Sequence, residues 1–338
     1  MVTHLFMVAL GMLAVGSLEH RFVAMGTDVI LVIEAPVGTA QWAAAVAAAE
    51  AEFSRLDALL TTWPHPGWSP SAILQLNAAA GQGPPGVSLS AEVMALLGRA
   101  QALSVASDGA FDVTVGGLAG LWQFDADWRP QVPLPAALAL ARRRLGYADL
   151  ILNAPAGRAW LRRPGMAVTL GGIGKGYAVD RAAEQLRRHG LDHFTVQAGG
   201  DLYVAGQRGG RPWRVGLRDP RGGGGHLASL PLQDAALSTA GDNERAFVLG
   251  GLRYHHILDP ATGYPASACR SVAVRAPSAL LADCLSDALF VLGPARGLEL
   301  LRQFPGTDAA LLDAESQLWV SPGLAADLRQ LRPAIDVP

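Results

Sequence analysis

"TLGGIGKGYAVDRA", residues 169 to 182, sets a glycine-rich turn between a strand-like run and a helix-like one. Backbone amides at such a turn can face an anion. Two familiar nucleotide-binding loops have glycine patterns that could stand here, and the stretch meets neither. The pattern G-x-G-x-x-G fails because Val179 stands where the third glycine is required. The P-loop pattern fails twice, since Thr169 occupies its first glycine position and Gly176 replaces the Ser or Thr that would hold magnesium.

The flanking sequence gives the same answer. After the turn, a helix is expected to run to His189, followed by a strand "FTVQAGGDLYVAG" (Phe194 to Gly206). Short runs "WRVGL", "AFVLG" and "SVAVR" then lie between Arg211 and Arg275, separated by Gly, Pro and Asn turns, which predicts antiparallel ribbons. Upstream, "DVILVIE" (Asp28 to Glu34) reads as a strand, and Trp42, Val46, Phe53, Leu56 and Leu60 recur at helical spacing. A Pro/Trp/Ser-rich loop "TTWPHPGWSPS" precedes a helix from about Ala91 to Val105, with Ser90 as its N-cap. "SDGAFDVTVGG" predicts a turn and a short strand, "PLPAALALARRRLGY" a third helix, and another strand is expected just after Ala167. Two further helices, from about Ser278 and from about Ala295, and a final strand pair close the chain. Helices alternate irregularly with hairpin-linked strands, so the fold class is α+β.

The bulk composition narrows the function classes. With 338 residues, half of them hydrophobic and 17% charged, the chain can bury a sizeable core. A net charge of −2 gives no general attraction to nucleic acid or to anionic lipid, so an anionic ligand must be held locally. Cys269 and Cys284 are too few for a disulfide framework or a Cys-rich zinc site, and read as free thiols. The apolar run from Leu5 to Leu18 is too short for a stable transmembrane span. It reads as a signal-peptide core with a cleavage site near Ala14-Val15-Gly16, or as an extension preceding a start at Met7 or Met12. "RGGGGH" at Arg221 reads as a mobile loop.

Three stretches carry candidate chemistry. Lys175 is the only lysine beside 26 arginines, obtained by subtraction from 27 basic residues. A compact ammonium kept in a glycine turn, where a planar guanidinium fits poorly, suits a phosphate or carboxylate. In "SALLADCLSDALFVLG" (Ser278 to Gly293), Asp283 and Asp287 stack on one helix face beside the apolar arc, and would repel unless a cation lies between them. Two carboxylates with no His or Cys ligand nearby suit a hard cation, Mg²⁺ before Zn²⁺. Ser286 adds an oxygen but is expected to point further round, towards solvent. In "GLRYHHILDPATGYPAS" (Gly251 to Ser267), Asp-Pro and Thr-Gly predict a sharp bend after a strand. His255 and His256 face opposite sides of that strand, so at most one serves a cleft as a base of near-neutral pKa.

These stretches, with "AMGT" (Ala24 to Thr27), "GAFDVTVG" (Gly109 to Gly116), "LGGIGKGYAVD", "AGGDLYVAG", "STAGDNERAF", "HHILDPATGYP" and "ADCLSDALFVLG" in that order, resemble the ApbE family of FAD:protein FMN transferases. Each motif alone is weak, and seven in chain order are specific. The resemblance implies a T-fold-related α+β architecture over residues 20–338, after a segment 1–19, with mixed, mostly antiparallel sheets flanked by helices and a flavin cleft between two sub-lobes. It implies that Met25, Trp63 (where Tyr is usual), Ala110, Phe111, Asp112, Thr169 (where Asp is usual), Lys175 and Ile257 match positions near FAD. The Gly172 carbonyl, Asp283 and Asp287 (where Thr is usual) match the family's Mg²⁺ ligands, and His256 matches its catalytic base. The changes at Thr169 and Asp287 are expected to offset each other in charge, while Asn243 replaces a common Tyr.

The activity so implied is Mg²⁺-dependent transfer of FMN from FAD to a Ser/Thr hydroxyl of an acceptor flavoprotein subunit, with release of AMP. Its rivals are an FAD pyrophosphatase and a non-catalytic FAD-binding protein. No nucleic acid is expected as a partner. The location is the cell envelope if the N-terminal segment is a signal peptide, and the cytoplasm otherwise.

Overall fold

Five consecutive apolar residues, Val29 to Ile33, are all buried, which requires a core on each face of the strand they form. The computed structural model, which describes residues 16–124, 129–220 and 225–330, places that strand inside an eight-stranded sheet. Residues 1–15 of the N-terminal leader and most of the Arg221 glycine run, both singled out in the sequence, lie outside the described residues, while Ser17 to Glu19, assigned to the leader, pair with Val32 to Glu34 in the sheet.

In chain order the elements are β1 (Ser17–Ala24), β2 (Thr27–Glu34), α1 (Thr39–Leu60), α2 (Ala72–Ala78), β3 (Val87–Ser88), α3 (Ala91–Ala106), α4 (Pro135–Arg142), β4 (Leu150–Asn153), β5 (Arg158–Leu161), α5 (Gly174–Arg188), β6 (Phe194–Ala198), β7 (Asp201–Ala205), β8 (Trp213–Arg218), β9 (His226–Leu232), β10 (Ala235–Gly241), β11 (Ala246–Leu249), β12 (Leu252–His255), β13 (Cys269–Ala276), α6 (Ala279–Leu301), β14 (Asp308–Asp313), β15 (Leu318–Val320), α7 (Pro322–Ala325) and β16 (Arg329–Gln330). The main sheet has the order β1-β2-β6-β7-β10-β13-β14-β15. Smaller sheets are β16-β9-β8 and β3-β5-β4, and β11-β12 is a separate two-stranded ribbon. Every strand pairing among the described residues is antiparallel, and the parallel contacts are isolated bridges such as Val115 with Ala167. The expected α+β class with mostly antiparallel sheets is what the chain adopts.

Strand alternation divides the core in two. Val29, Leu31 and Ile33 join Phe53, Leu56, Val179, Leu285 and Leu289 on the face covered by α1, α5 and α6. Ile30, Val32, Leu202 and Val204 join Trp213, Val215 and Leu230 on the opposite face, covered by β8 and β9. Both cysteines are buried and unbridged, as their number suggested.

Several local expectations change. "FTVQAGGDLYVAG" is a hairpin of two strands, because Gly199 takes a φ of 59° and lets Ala198 pair with Asp201. "SDGAFDVTVGG" forms turns and an isolated bridge where a strand was expected, since its polar groups are satisfied locally by Asp112 and Ser107. The strand after Ala167 is likewise only that bridge, its place before α5 being taken by β5 and a loop. The two C-terminal helices are the halves of α6, divided at Gly293 (φ 74°, ψ 176°) just before Pro294. Ser90 does cap α3, its Oγ accepting from the Val93 amide at 3.2 Å.

Candidate active site

The site begins where α5 and α6 meet. Asp180 of α5 caps the start of α6, accepting from the Ala279 amide at 2.7 Å and the Leu280 amide at 3.0 Å. One turn further along α6, Asp283 accepts from the Gly176 amide at 2.9 Å. Gly176 has to be glycine because a Cβ there would overlap the Ala279 carbonyl and the Asp283 side chain. The glycine turn thus fixes how closely the first turn of α5 approaches the carboxylates of α6.

Asp287 lies on the same side. Its carboxylate and the Phe111 ring both press on Gly172, leaving no space for a Cβ there. Burial raises the pKa of Asp283 and that of Asp287, the latter to about 6 although Lys175 pulls it down. Ser286 does not point to solvent as expected. It is 2% exposed, donates to the Asp283 carbonyl at 2.9 Å and lies 3.3 Å from the Ser238 hydroxyl. The reason is that α6 is wrapped by β10 and β13 on one side and α5 on another, so it has no solvent edge at that position.

The Lys175 ammonium lies between Asp201 and Asp283, beside the aspartate pair for which the sequence suggested Mg²⁺. Its Nζ donates to Asp201 Oδ2 at 2.7 Å and lies 3.8 Å from Asp283 Oδ1. These carboxylates hold Lys175 protonated, overcoming the desolvation that would neutralise it. Asp201 is 1% exposed and also accepts from Ser238 Oγ at 2.6 Å. Sequence reading passed over Asp201, although a lone aspartate opening the apolar run "DLYVA" was the signal. Glu244 was missed too. Burial raises its pKa to about 7, with the charges of Lys175, Asp201 and Asp287 all acting on it.

The paired histidines separate into two roles. His255 is buried, its Nε2 bonds the Ala266 carbonyl at 2.8 Å, and its Nδ1 accepts from the Ile257 amide at 3.3 Å. With both nitrogens engaged and its ring edge-on to Phe290, it is a structural residue. His256 faces the other way, with Nδ1 at 3.1 Å from the Glu244 carbonyl. A carbonyl can only accept, so Nδ1 carries the hydrogen and Nε2 the lone pair. Nε2 has no partner among the described residues. Burial, the Arg245 cation and, more weakly, Lys175 pull the His256 pKa down to about 4, so the ring is neutral at physiological pH.

The bend after His256 is built by Asp259, whose backbone pairs with Tyr264 and Gly263. The β11-β12 ribbon leading into it rests on stacked rings, Phe124 on Phe247, Phe247 on Tyr254 and Tyr254 on Trp122.

The remaining predicted residues fall into three groups. Met25, at the β1-β2 turn with a φ of 50°, donates its amide to Asp57 and lays its methyl beside Gly174. Phe111 and Ile257 are buried next to the site elements, and Ala110 and Thr169 lie on the loops that carry Phe111 and Gly172. Asp112 is turned inward, its oxygens taken by Thr114 at 2.7 Å and by the Tyr147 amide at 3.0 Å, so its carboxylate shapes the loop. Trp63 is 69% exposed on the loop between α1 and α2, where its backbone bonds Thr61.

The donor set is all oxygen. No group of three His, Cys, Asp or Glu side chains is gathered for a metal among the described residues, and Asp283 and Asp287 offer a pair of neighbouring carboxylates. That set fits a hard divalent cation.

A family model described as the ApbE family matches residues 25–312. The FAD:protein FMN transferase of Treponema pallidum is 36% identical over 277 residues, covering 77% of this chain and 76% of that one. The FAD:protein FMN transferase of Klebsiella pneumoniae is 33% identical, covering 81% and 79%. The crystal structure of the ApbE protein from Thermotoga maritima superposes with a TM-score of 0.82 at 31% identity, over 93% of this chain and 100% of that one. The flavin transferase ApbE from Vibrio cholerae gives 0.80 at 25% identity, over 92% and 99%.

Proposed function

This chain belongs to the ApbE family, and we propose that it is an FAD:protein FMN transferase that joins FMN to a Ser or Thr hydroxyl of an acceptor protein and releases AMP. The observation that carries the reading is the tautomer of His256. Its Nδ1–H is committed to the Glu244 carbonyl, so Nε2 offers a lone pair on a ring already neutral. A neutral imidazole held in one tautomer is equipped to take a hydroxyl proton.

In that reaction the acceptor oxygen bonds to the FMN-side phosphorus, the bond to the AMP oxygen breaks with its electron pair going to AMP, and His256 holds the proton removed. Lys175, kept protonated by its carboxylate neighbours, supplies a positive contact for the pyrophosphate. Asp283, Asp287 and the Gly172 carbonyl would hold Mg²⁺, which supplies charge neutralisation on the pyrophosphate oxygens when bound. Phe111, Met25 and Ile257 offer apolar surface to the flavin beside this charged centre.

The test is incubation with FAD, Mg²⁺ and an acceptor bearing a Ser/Thr site, with acceptor mass and AMP read together. A mass gain of one FMN with stoichiometric AMP, both abolished in His256→Ala, is the expected result. AMP formed at the same rate with or without acceptor, and no mass gain, would make the protein a pyrophosphatase. Neither product would make it a flavin-binding protein.

A further inference from the structure

Lys175 stands between two carboxylates that want different things from it. Asp283, on the metal reading proposed above, has one oxygen engaged by the Gly176 amide, leaving Oδ1 as the one a cation can reach. Lys175 Nζ is 3.8 Å from that same Oδ1, too far for a hydrogen bond and too near to be indifferent to it. What keeps it from closing the gap is Asp201, which takes the ammonium at 2.7 Å.

Asp201 is suited to that task. It is 1% exposed and opens β7 directly after the Gly199-Gly200 turn, so its backbone is fixed by the β6-β7 hairpin. Its second oxygen accepts from Ser238 Oγ at 2.6 Å, and Ser238 in turn meets Ser286 of α6 at 3.3 Å. Both carboxylate oxygens are therefore tied, one to the lysine and one to a hydroxyl relay reaching the helix that carries Asp283. Gly200 has room for no Cβ against the Thr239 carbonyl, which locks the turn in place.

We propose that Asp201 is a positioning residue which holds Lys175 off Asp283, keeping the metal-facing oxygen of Asp283 open and reserving the ammonium for the anionic substrate. The inference rests on the metal reading of Asp283 given above. Without Asp201 the lysine swings onto Asp283 Oδ1 and competes with the divalent cation there.

The experiment is a double-mutant cycle read by calorimetric titration of Mg²⁺ into the full chain without FAD. Asp201→Asn is expected to weaken Mg²⁺ binding at least tenfold, and Lys175→Met to strengthen it. In the Lys175→Met background, Asp201→Asn should weaken binding by less than threefold, because the competitor is gone. Ser238→Ala, which loosens Asp201 without changing charge, should shift affinity in the same direction by a smaller factor. An equal loss in both backgrounds would overturn the proposal, since Asp201 would then act by its own charge or as a ligand. A lower melting temperature in Asp201→Asn with unchanged Mg²⁺ affinity would overturn it as well, leaving only a structural role. Asp283→Ala separates the premise from the inference. If it binds Mg²⁺ as tightly as the unmutated chain, the metal reading fails; if it loses Mg²⁺ while the cycle shows no coupling, the role of Asp201 alone fails.

Discussion

Adding one methyl group at Gly176 tests whether the α5-α6 approach builds the site. A Cβ there overlaps the Ala279 carbonyl and would sit 2.8 Å from Asp283 Cβ, so α5 must retreat or the Asp283 side chain must turn. Overpacking of this kind costs about 1–3 kcal/mol. Retreat also stretches the Gly176 amide bond to Asp283, and a hydrogen bond to a charged acceptor contributes about 1.5–3 kcal/mol. The two effects overlap, giving about 2–5 kcal/mol in all. A chain of 338 residues has an unfolding entropy of about 0.7 kcal/mol/K near its midpoint. Gly176→Ala should therefore melt about 3–7 °C lower by calorimetry. The same displacement moves Asp283, and misplacement of a catalytic group by about 1 Å costs on the order of 100-fold in rate. Gly174→Ala is the control, because a Cβ there meets only Met25 Cε at 3.5 Å and Leu170 Cβ at 3.7 Å, ordinary contacts that should not lower the melting temperature. A Gly176→Ala protein that melts and transfers FMN like the unmutated chain would refute the reasoning.

Two further outcomes are expected. His256 has a folded pKa near 4 against an ordinary 6.5, so its base form persists until the pH falls through about 4. The acid limb of kcat/KM should lie well below pH 6, and a limb centred at 6.5 in the free enzyme would contradict the buried base. Stability carries the same sign. Between pH 6.5 and 4 the unfolded chain binds the proton that folded His256 refuses, so stability falls as pH is lowered through that window, less so in His256→Ala. Asp180→Ala removes the acceptor for the first two amides of α6 while leaving Ser278 as N-cap. Leaving these amides without an acceptor should cost about 1–3 kcal/mol, a drop of roughly 1–4 °C, and an unchanged melting temperature would show the cap to be dispensable.

The readable parts of this sequence were those whose signal is local. Ser90 announced its helix because a cap is decided within three residues, and Asp28 to Glu34 announced a strand because burial on both faces leaves an unbroken apolar run from Val29 to Ile33. The failed nucleotide patterns at Thr169 to Gly176 excluded the two familiar nucleotide loops for the same reason. Asp201, Ser286 and Asp180 were not readable in this way. Their roles are set by partners 26 to 100 residues distant, namely Lys175 for Asp201, Ser238 for Ser286 and the start of α6 for Asp180. Helical periodicity placed Ser286 near solvent because it assumes one buried face, whereas α6 is buried nearly all round. The division of labour between His255 and His256 followed from strand alternation, but which of them keeps a free nitrogen depended on the Ala266 and Glu244 carbonyls.

The pairing of β2 with β6 has a consequence for how the chain assembles. Ile33 lies opposite Phe194, so residues 34–193 must be gathered before the seam can close. Closing a loop of that length costs about 4–5 kcal/mol in chain entropy, before any contact within it is counted. From β6 onward each new strand of the sheet is added by a shorter connection, so the longest-range contacts of the molecule lie where this excursion returns, in the β2-β6 pairing and the packing of α1 on α5. Lys175 meets Asp201 across 26 residues, so that ion pair belongs to the side that closes cheaply, while Met25 rides on the hairpin that must come back across the whole excursion. The methionine can therefore lie beside Gly174 only once the β2-β6 seam of the sheet has closed.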